Sequence, residues 1–167
     1  MTATPPAGVV SASSDAGGIH IVRSFDAAIE DVFAAWTTPE RFATWFGEHG
    51  SSVPLDTVSM DVRPGGLWRA VMHVIEPEPM ELVFHGEFRE VDPPRHLVMT
   101  IEDMSGEGAP GAVELFTVDL VELGGRTEMR FSQTGGNLPS DEYSRAMRGE
   151  LIFFDRLATH LEEGNAR

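Results

Sequence analysis

Hydrophobic and polar positions repeat along this chain with two periods, one helical and one of strand type. The helical period is strongest in DEYSRAMRGELIFFDRLATHLEE, residues 141–163. There Tyr143, Ala146, Met147, Leu151, Phe154, Leu157, Ala158 and Leu161 share one broad stripe, and Arg145, Arg148, Asp155, Glu162 and Glu163 fall elsewhere. This predicts a long amphipathic helix with Ser140 as N-cap and with Asp141 and Glu142 in the first turn, where the helix dipole favours negative charge. One residue breaks the stripe. Glu150 projects among Tyr143, Met147, Phe154 and Leu157, where an unpaired carboxylate is costly unless it is solvated or paired.

Upstream the pattern is shorter. Residues 1–17 are small, proline-containing and poor in large apolar side chains, so they are expected to form a flexible tail. From Gly18, IHIVRSF alternates as a strand up to Asp26. Asp26 is expected to cap a helix in which Ile29, Val32, Phe33 and Trp36 recur at helical spacing. Thr38-Pro39 starts a second short helix through about Phe46. Between about residues 53 and 134 the period falls to two, with Pro64-Gly65-Gly66, Glu76-Pro77-Glu78-Pro79, Asp92-Pro93-Pro94, a glycine-rich loop at 105–111 and Gly124-Gly125 as turns. This predicts six strands after the first, closing with Gly135-Gly136-Asn137 before the long helix.

An antiparallel sheet of about seven strands with one apolar face needs a cover, and only the last helix is long enough. The expected fold class is therefore α+β: a curved sheet wrapped around the C-terminal helix, with two short helices between the first two strands closing one end of the trough. By alternation, Trp68, Ala70 and Met72 share the inner face with Phe84, Gly86 and Phe88, with Leu97, Met99 and Ile101, with Phe116, Val118 and Leu120, and with Met129 and Phe131. Most of these are simply what a half-buried sheet requires. A cavity left between sheet and helix would be lined by Trp36, Trp45, Trp68, Met72, Phe84, Phe88, Met99, Phe116, Phe131, Met147 and Phe154. Asp103, Glu114, Gln133, Tyr143 and Glu150 would be its polar groups. Glu150 is the best candidate for an acid or base there, with Asp103, Glu114 and Tyr143 behind it.

Composition narrows the function classes. Lys and Arg number 12 against 27 Asp and Glu, a formal charge of −15, which argues against a nucleic-acid backbone or an anionic membrane as partner and makes Trp36, Trp45 and Trp68 core residues rather than base-stacking platforms. The chain has no cysteine, so disulfides, thiolate nucleophiles and zinc–cysteine sites are excluded. With no membrane-length apolar run and no signal-peptide pattern at the N-terminus, the expected location is cytoplasmic. His73 and His85 fall on neighbouring strands and are expected nearly opposite one another, but by parity they point with Glu87 to the outer face and lack close His spacing, so no metal is expected. There is no Gly-x-Ser-x-Gly turn, and Gly65-Gly66 and Gly124-Gly125 join strand to strand with no following helix, so neither is a phosphate loop. No cofactor is implied.

Ala35-Trp36-Thr37-Thr38-Pro39-Glu40, Trp45-Phe46, Arg63-Pro64-Gly65-Gly66-Leu67-Trp68-Arg69, Gly86-Glu87-Phe88 and Val91-Asp92-Pro93-Pro94-Arg95 occur in an order and spacing that resemble the SRPBCC superfamily. More narrowly they resemble proteins similar to the C-terminal domain of the activator of the ninety-kilodalton heat-shock-protein ATPase. The resemblance runs from about Ile19 to Leu161 and implies a single helix-grip (START-like, birch-pollen-allergen-like) domain, here residues 18–164, with a hydrophobic ligand cavity. The fold hosts carriers, cyclases, dehydratases and co-chaperone modules, so it does not fix the chemistry. Such families often carry Gly-Trp near the start of the last helix, and Gly149-Glu150 puts a carboxylate where that ring would be. The expected function is binding of a small, mostly apolar molecule. The alternatives are a co-chaperone-like module acting on a heat-shock-protein ATPase and a polyketide cyclase- or dehydratase-like enzyme. Exposed sheet edges permit a homodimer.

Overall fold

The computed structural model describes residues 8–47, 50–75, 78–103 and 113–165. Nine antiparallel strands form one curved sheet: β1 (Gly8–Asp15), β2 (Gly18–Phe25), β3 (Ser51–Ser52), β4 (Ser59–Met60), β5 (Leu67–Val74), β6 (Met80–Asp92), β7 (His96–Asp103), β8 (Glu114–Leu123) and β9 (Arg126–Thr134). Their order is β1-β2-β9-β8-β7-β6-β5-β3, and β4 also pairs with β5. Helices α1 (Ile29–Thr37) and α2 (Pro39–Trp45) follow β2, and the long α3 (Ser140–Asn165) closes the chain. The α+β architecture expected from the alternating and helical periods, and the helix-grip fold that the resemblance implies, are observed.

Three local expectations are corrected. Residues 8–15, expected within a flexible tail, form β1: the two-residue link Ala16-Gly17 reverses the chain, the Gly17 amide donates to Asp15 Oδ1 at 2.7 Å, and β1 pairs with β2 from Asp15↔Gly18 to Gly8↔Ser24. Backbone pairing along the edge of β2 holds this strand although Val9 and Val10 stay exposed, so composition alone could not reveal it. Asp26 does not cap α1, which begins after Ala28 without a side-chain cap; the amides of Asp31 and Val32 bond the Ala28 carbonyl. The alternation expected around Val58, Met60 and Val62 yields only the two-residue β4, preceded by a single 3-10 turn at Leu55–Thr57. The glycine-rich loop expected at 105–111 lies outside the described residues.

The inner-face register follows the alternation. Trp68 faces Gly86, Ala70 faces Phe84, Phe88 faces Met99, Met99 faces Phe116, Val118 faces Phe131 and Leu120 faces Met129. Gly86 is obligatory: a Cβ there would collide with the Thr100 carbonyl oxygen, which accepts a 2.8 Å bond from Trp68 Nε1. Irregular pairing between Phe88 and Glu90 bends β6 where the sheet curls. Across this face runs α3, with Tyr143, Glu150, Phe154, Leu157 and Leu161 buried. Arg23 of β2 ties the helix down by donating to Asp155 at 2.5 Å while its guanidinium lies over the Phe25 ring.

Candidate functional site

The side chains expected to line the trough divide into two groups. The first is aromatic. Trp36 and Trp45 meet edge to face at 4.9 Å, Trp36 stacks near Phe131 at 6.2 Å, and Phe131 contacts both Phe154 and Phe116 at 5.0 Å. Phe42 and Phe46 of the α2 segment extend this packing to Trp68 and Phe84. Trp45 Nε1 is satisfied by the Ala35 carbonyl at 2.8 Å. Met72, Phe88 and Met99 are buried in the same core. Here the predicted lining residues fill space against one another, closing the α1–α2 end.

The second group is polar and gathers where β8 begins, β9 ends and α3 starts. The buried Glu114 accepts from Gln133 Nε2 at 3.2 Å through Oε1 and from Asn137 Nδ2 at 2.7 Å through Oε2. Asn137 also donates to the Val113 carbonyl, which fixes it in the Gly135-Gly136-Asn137 break. A Cβ at Gly135 would displace the end of the Glu114 side chain at Oε2. Tyr143, fully buried at the start of α3, takes the Gly136 amide on its hydroxyl at 2.8 Å and bonds the Glu114 carboxyl. Burial, with the Glu114 contact second, pushes the phenol above its ordinary value.

Glu150 differs from all of these. It is only 7% exposed, in line with Tyr143 and Phe154 on α3, and its Oε2 has no hydrogen-bond partner among the described residues. Desolvation first and the charge of Glu114 second push its carboxyl well above the usual carboxylate range. The group therefore holds its proton far more readily than an exposed glutamate and can offer either a donor or, once deprotonated, an unshared negative charge. Half-buried Leu82, Phe84, Ile101, Met147 and Leu151 supply apolar surface on the faces that border the core. Asp103 stands opposite Phe84 in the β6–β7 register, at the end of its strand.

Two depressions lie outside this trough. A cleft of about 60 Å³ is bordered by Arg23, Phe25, Ala158 and Leu161, and a groove of about 360 Å³ by Thr44, Asp155, Arg156, Thr159, His160 and Glu163. Neither is bordered by a residue expected to line the cavity, although Ala158 and Leu161 of the α3 stripe border the first. The histidines expected to face each other do not: His85 stands opposite Arg69 and lies 3.3 Å from Glu102, and His73 stands opposite Glu81 at 3.6 Å. His96, which carried no signal in the sequence, sits between Asp119 at 2.6 Å and Glu90 at 3.3 Å on the outer face, and the Asp119 bond raises its pKa. Asn137 was legible only as part of a chain break, since its role depends on meeting Glu114 from 23 residues away.

The model of the family described as Activator of Hsp90 ATPase homolog 1-like protein matches residues 26–162. The chain belongs to this family. No curated protein matches it. Solved structures share the fold: the AHSA1 protein of Silicibacter pomeroyi is 23% identical, with a TM-score of 0.75 over 88% of this chain and 99% of that one. A protein of Chromobacterium violaceum is 19% identical, with a TM-score of 0.75 over 87% and 97%. One from Rhizobium leguminosarum is 28% identical, with a TM-score of 0.71 over 92% and 97%. No helix among the described residues of this family member is long and apolar enough to cross a membrane.

Proposed function

We propose that the chain binds a small, mostly apolar molecule between the sheet and α3, with Glu150 as the polar anchor and Glu114, Gln133 and Tyr143 around it. One observation carries this reading: a carboxyl oxygen buried without a partner, in the middle of an otherwise apolar helical stripe. Folding alone gives no reason to keep it, because an apolar side chain would fill the position at lower cost. A ligand group that completes its hydrogen bonding supplies the reason. Met147 and Leu151, beside Glu150 on α3, would take the ligand's apolar body.

Native mass spectrometry of freshly purified protein, set against its denatured mass and an organic extract, tests this. A discrete extra mass carried only by the folded protein, and found in the extract, supports the proposal. A clean apoprotein mass, together with stimulation of a heat-shock-protein ATPase by the same preparation, would replace it with the partner role that the family's description names.

A further inference from the structure

The polar end of the trough has an excess of acceptors. Glu114 is already served by three neutral donors, the amides of Gln133 and Asn137 and the hydroxyl of Tyr143. Glu150 Oε2 is served by none. Neither carboxyl forms an ion pair among the described residues. Two carboxyl groups thus share one buried neighbourhood with no paired cation among the described residues, and the Glu114 charge adds to the burial that disfavours the charged form of Glu150.

A ligand head entering this site meets that imbalance directly. A carboxylate or phosphate would bring a further negative charge into a desolvated region, where repulsion is poorly screened. A hydroxyl would form one ordinary hydrogen bond. An amine would take the Glu150 proton, and the ammonium–carboxylate pair so formed would be joined by a charge-assisted bond, roughly twice as strong as a neutral one, with a further favourable interaction at Glu114. The chain's net charge of −15 adds long-range attraction for cations on approach.

Resting on the ligand-binding reading above, we propose that the molecule held at Glu150 is an apolar amine, its protonated nitrogen bonded to the Glu150 carboxylate and its hydrocarbon part lying along Met147 and Leu151. The site selects the head by charge and the tail by burial.

Isothermal titration at neutral pH with three probes of one chain length, decylammonium, 1-decanol and decanoate, each below its aggregation limit, tests the assignment. Decylammonium is expected to bind about tenfold or more tightly than decanol, and decanoate weakest. Glu150→Gln, close to isosteric, is expected to abolish most of the amine's advantage while leaving decanol within about threefold. Glu114→Gln should reduce the advantage in part. Glu163→Gln, an exposed change that also removes one negative charge, should leave it intact. Equal binding of amine and alcohol, a preference for decanoate, or an amine preference that survives Glu150→Gln would overturn the head-group assignment while leaving the ligand-binding reading standing. If none of the three binds, the ligand-binding reading falls and the assignment falls with it.

Discussion

Two neighbouring stretches of the trough are built from the same inner face of β8 and β9 and from the same stripe of α3, yet they are stabilised in opposite ways. Around Phe154 and Phe131, rings from α1, α2, the sheet and α3 meet at 5–6 Å, and the polar atom they leave without a partner among the described residues is a neutral one, the indole Nε1 of Trp36. Two residues before Phe116 on β8 stands Glu114, two residues beyond Phe131 on β9 stands Gln133, and one turn before Phe154 on α3 stands Glu150, each at a position of the apolar face. The aromatic stretch lowers its free energy by excluding water. The polar stretch keeps a desolvated carboxyl that folding does not satisfy. That difference separates what holds the fold from what awaits a second molecule.

The sharpest way to break the contrast is to cut into each stretch. Trp36→Ala should lose about 3–5 kcal/mol of stability in a urea titration, as for a large ring removed from a packed core; a loss below about 1 kcal/mol would mean that the rings are not close-packed. Asp155→Ala comes next. It removes the partner of the nearly buried Arg23, and leaving that guanidinium unpaired should cost about 1–3 kcal/mol in the same assay. A neutral outcome would show that Arg23 finds another acceptor without strain.

Tyr143→Phe should cost about 1 kcal/mol, because the Gly136 amide and the Glu114 carboxyl each lose a partner. Glu150→Gln should reverse the sign of these effects as pH rises. A carboxyl whose folded pKa is raised contributes stability that is complete below its unfolded pKa and is lost as pH climbs through the folded one. The wild-type melting temperature should therefore fall across the range above the ordinary carboxylate value, and the variant's should fall less, crossing above the wild type's. Parallel curves would remove Glu150 from the buried class. His96, raised by Asp119, contributes a weaker decline of the same sign that begins above the ordinary histidine range, and His96→Gln should remove it.

The stripe of α3 was legible in the sequence because a helix of this length repeats its pattern many times, and Glu150 stood out as the one exception to it. The inner-face register was legible for a similar reason: strands of eight or more residues hold their parity, so Phe116 facing Gln133 and Phe88 facing Met99 follow once the turns are known. What could not be read was anything fixed by backbone pairing alone or by polar contacts between distant segments. β1 contributes hydrogen bonds rather than buried side chains. Asn137 and Glu114 meet only because the chain folds back after β9. The clasp between Arg23 and Asp155 spans 132 positions and belongs to no motif. The filling of the α1–α2 end by rings was equally hidden, since alternation tells which residues face inward but not whether they leave space.

The hairpin of β1 and β2 has a consequence for where this protein can be cut. The family pattern begins at residue 26, after both strands, whereas β2 supplies Ile19, Ile21 and Phe25 to the core and Arg23 to the helix. A fragment trimmed to the recognisable region would expose the full hydrogen-bonding edge of β9, strip the cover from Met129 and Phe131, and leave the C-terminal half of α3 without its anchor. A fragment that folds is therefore expected to start upstream of residue 26, at the hairpin of β1 and β2.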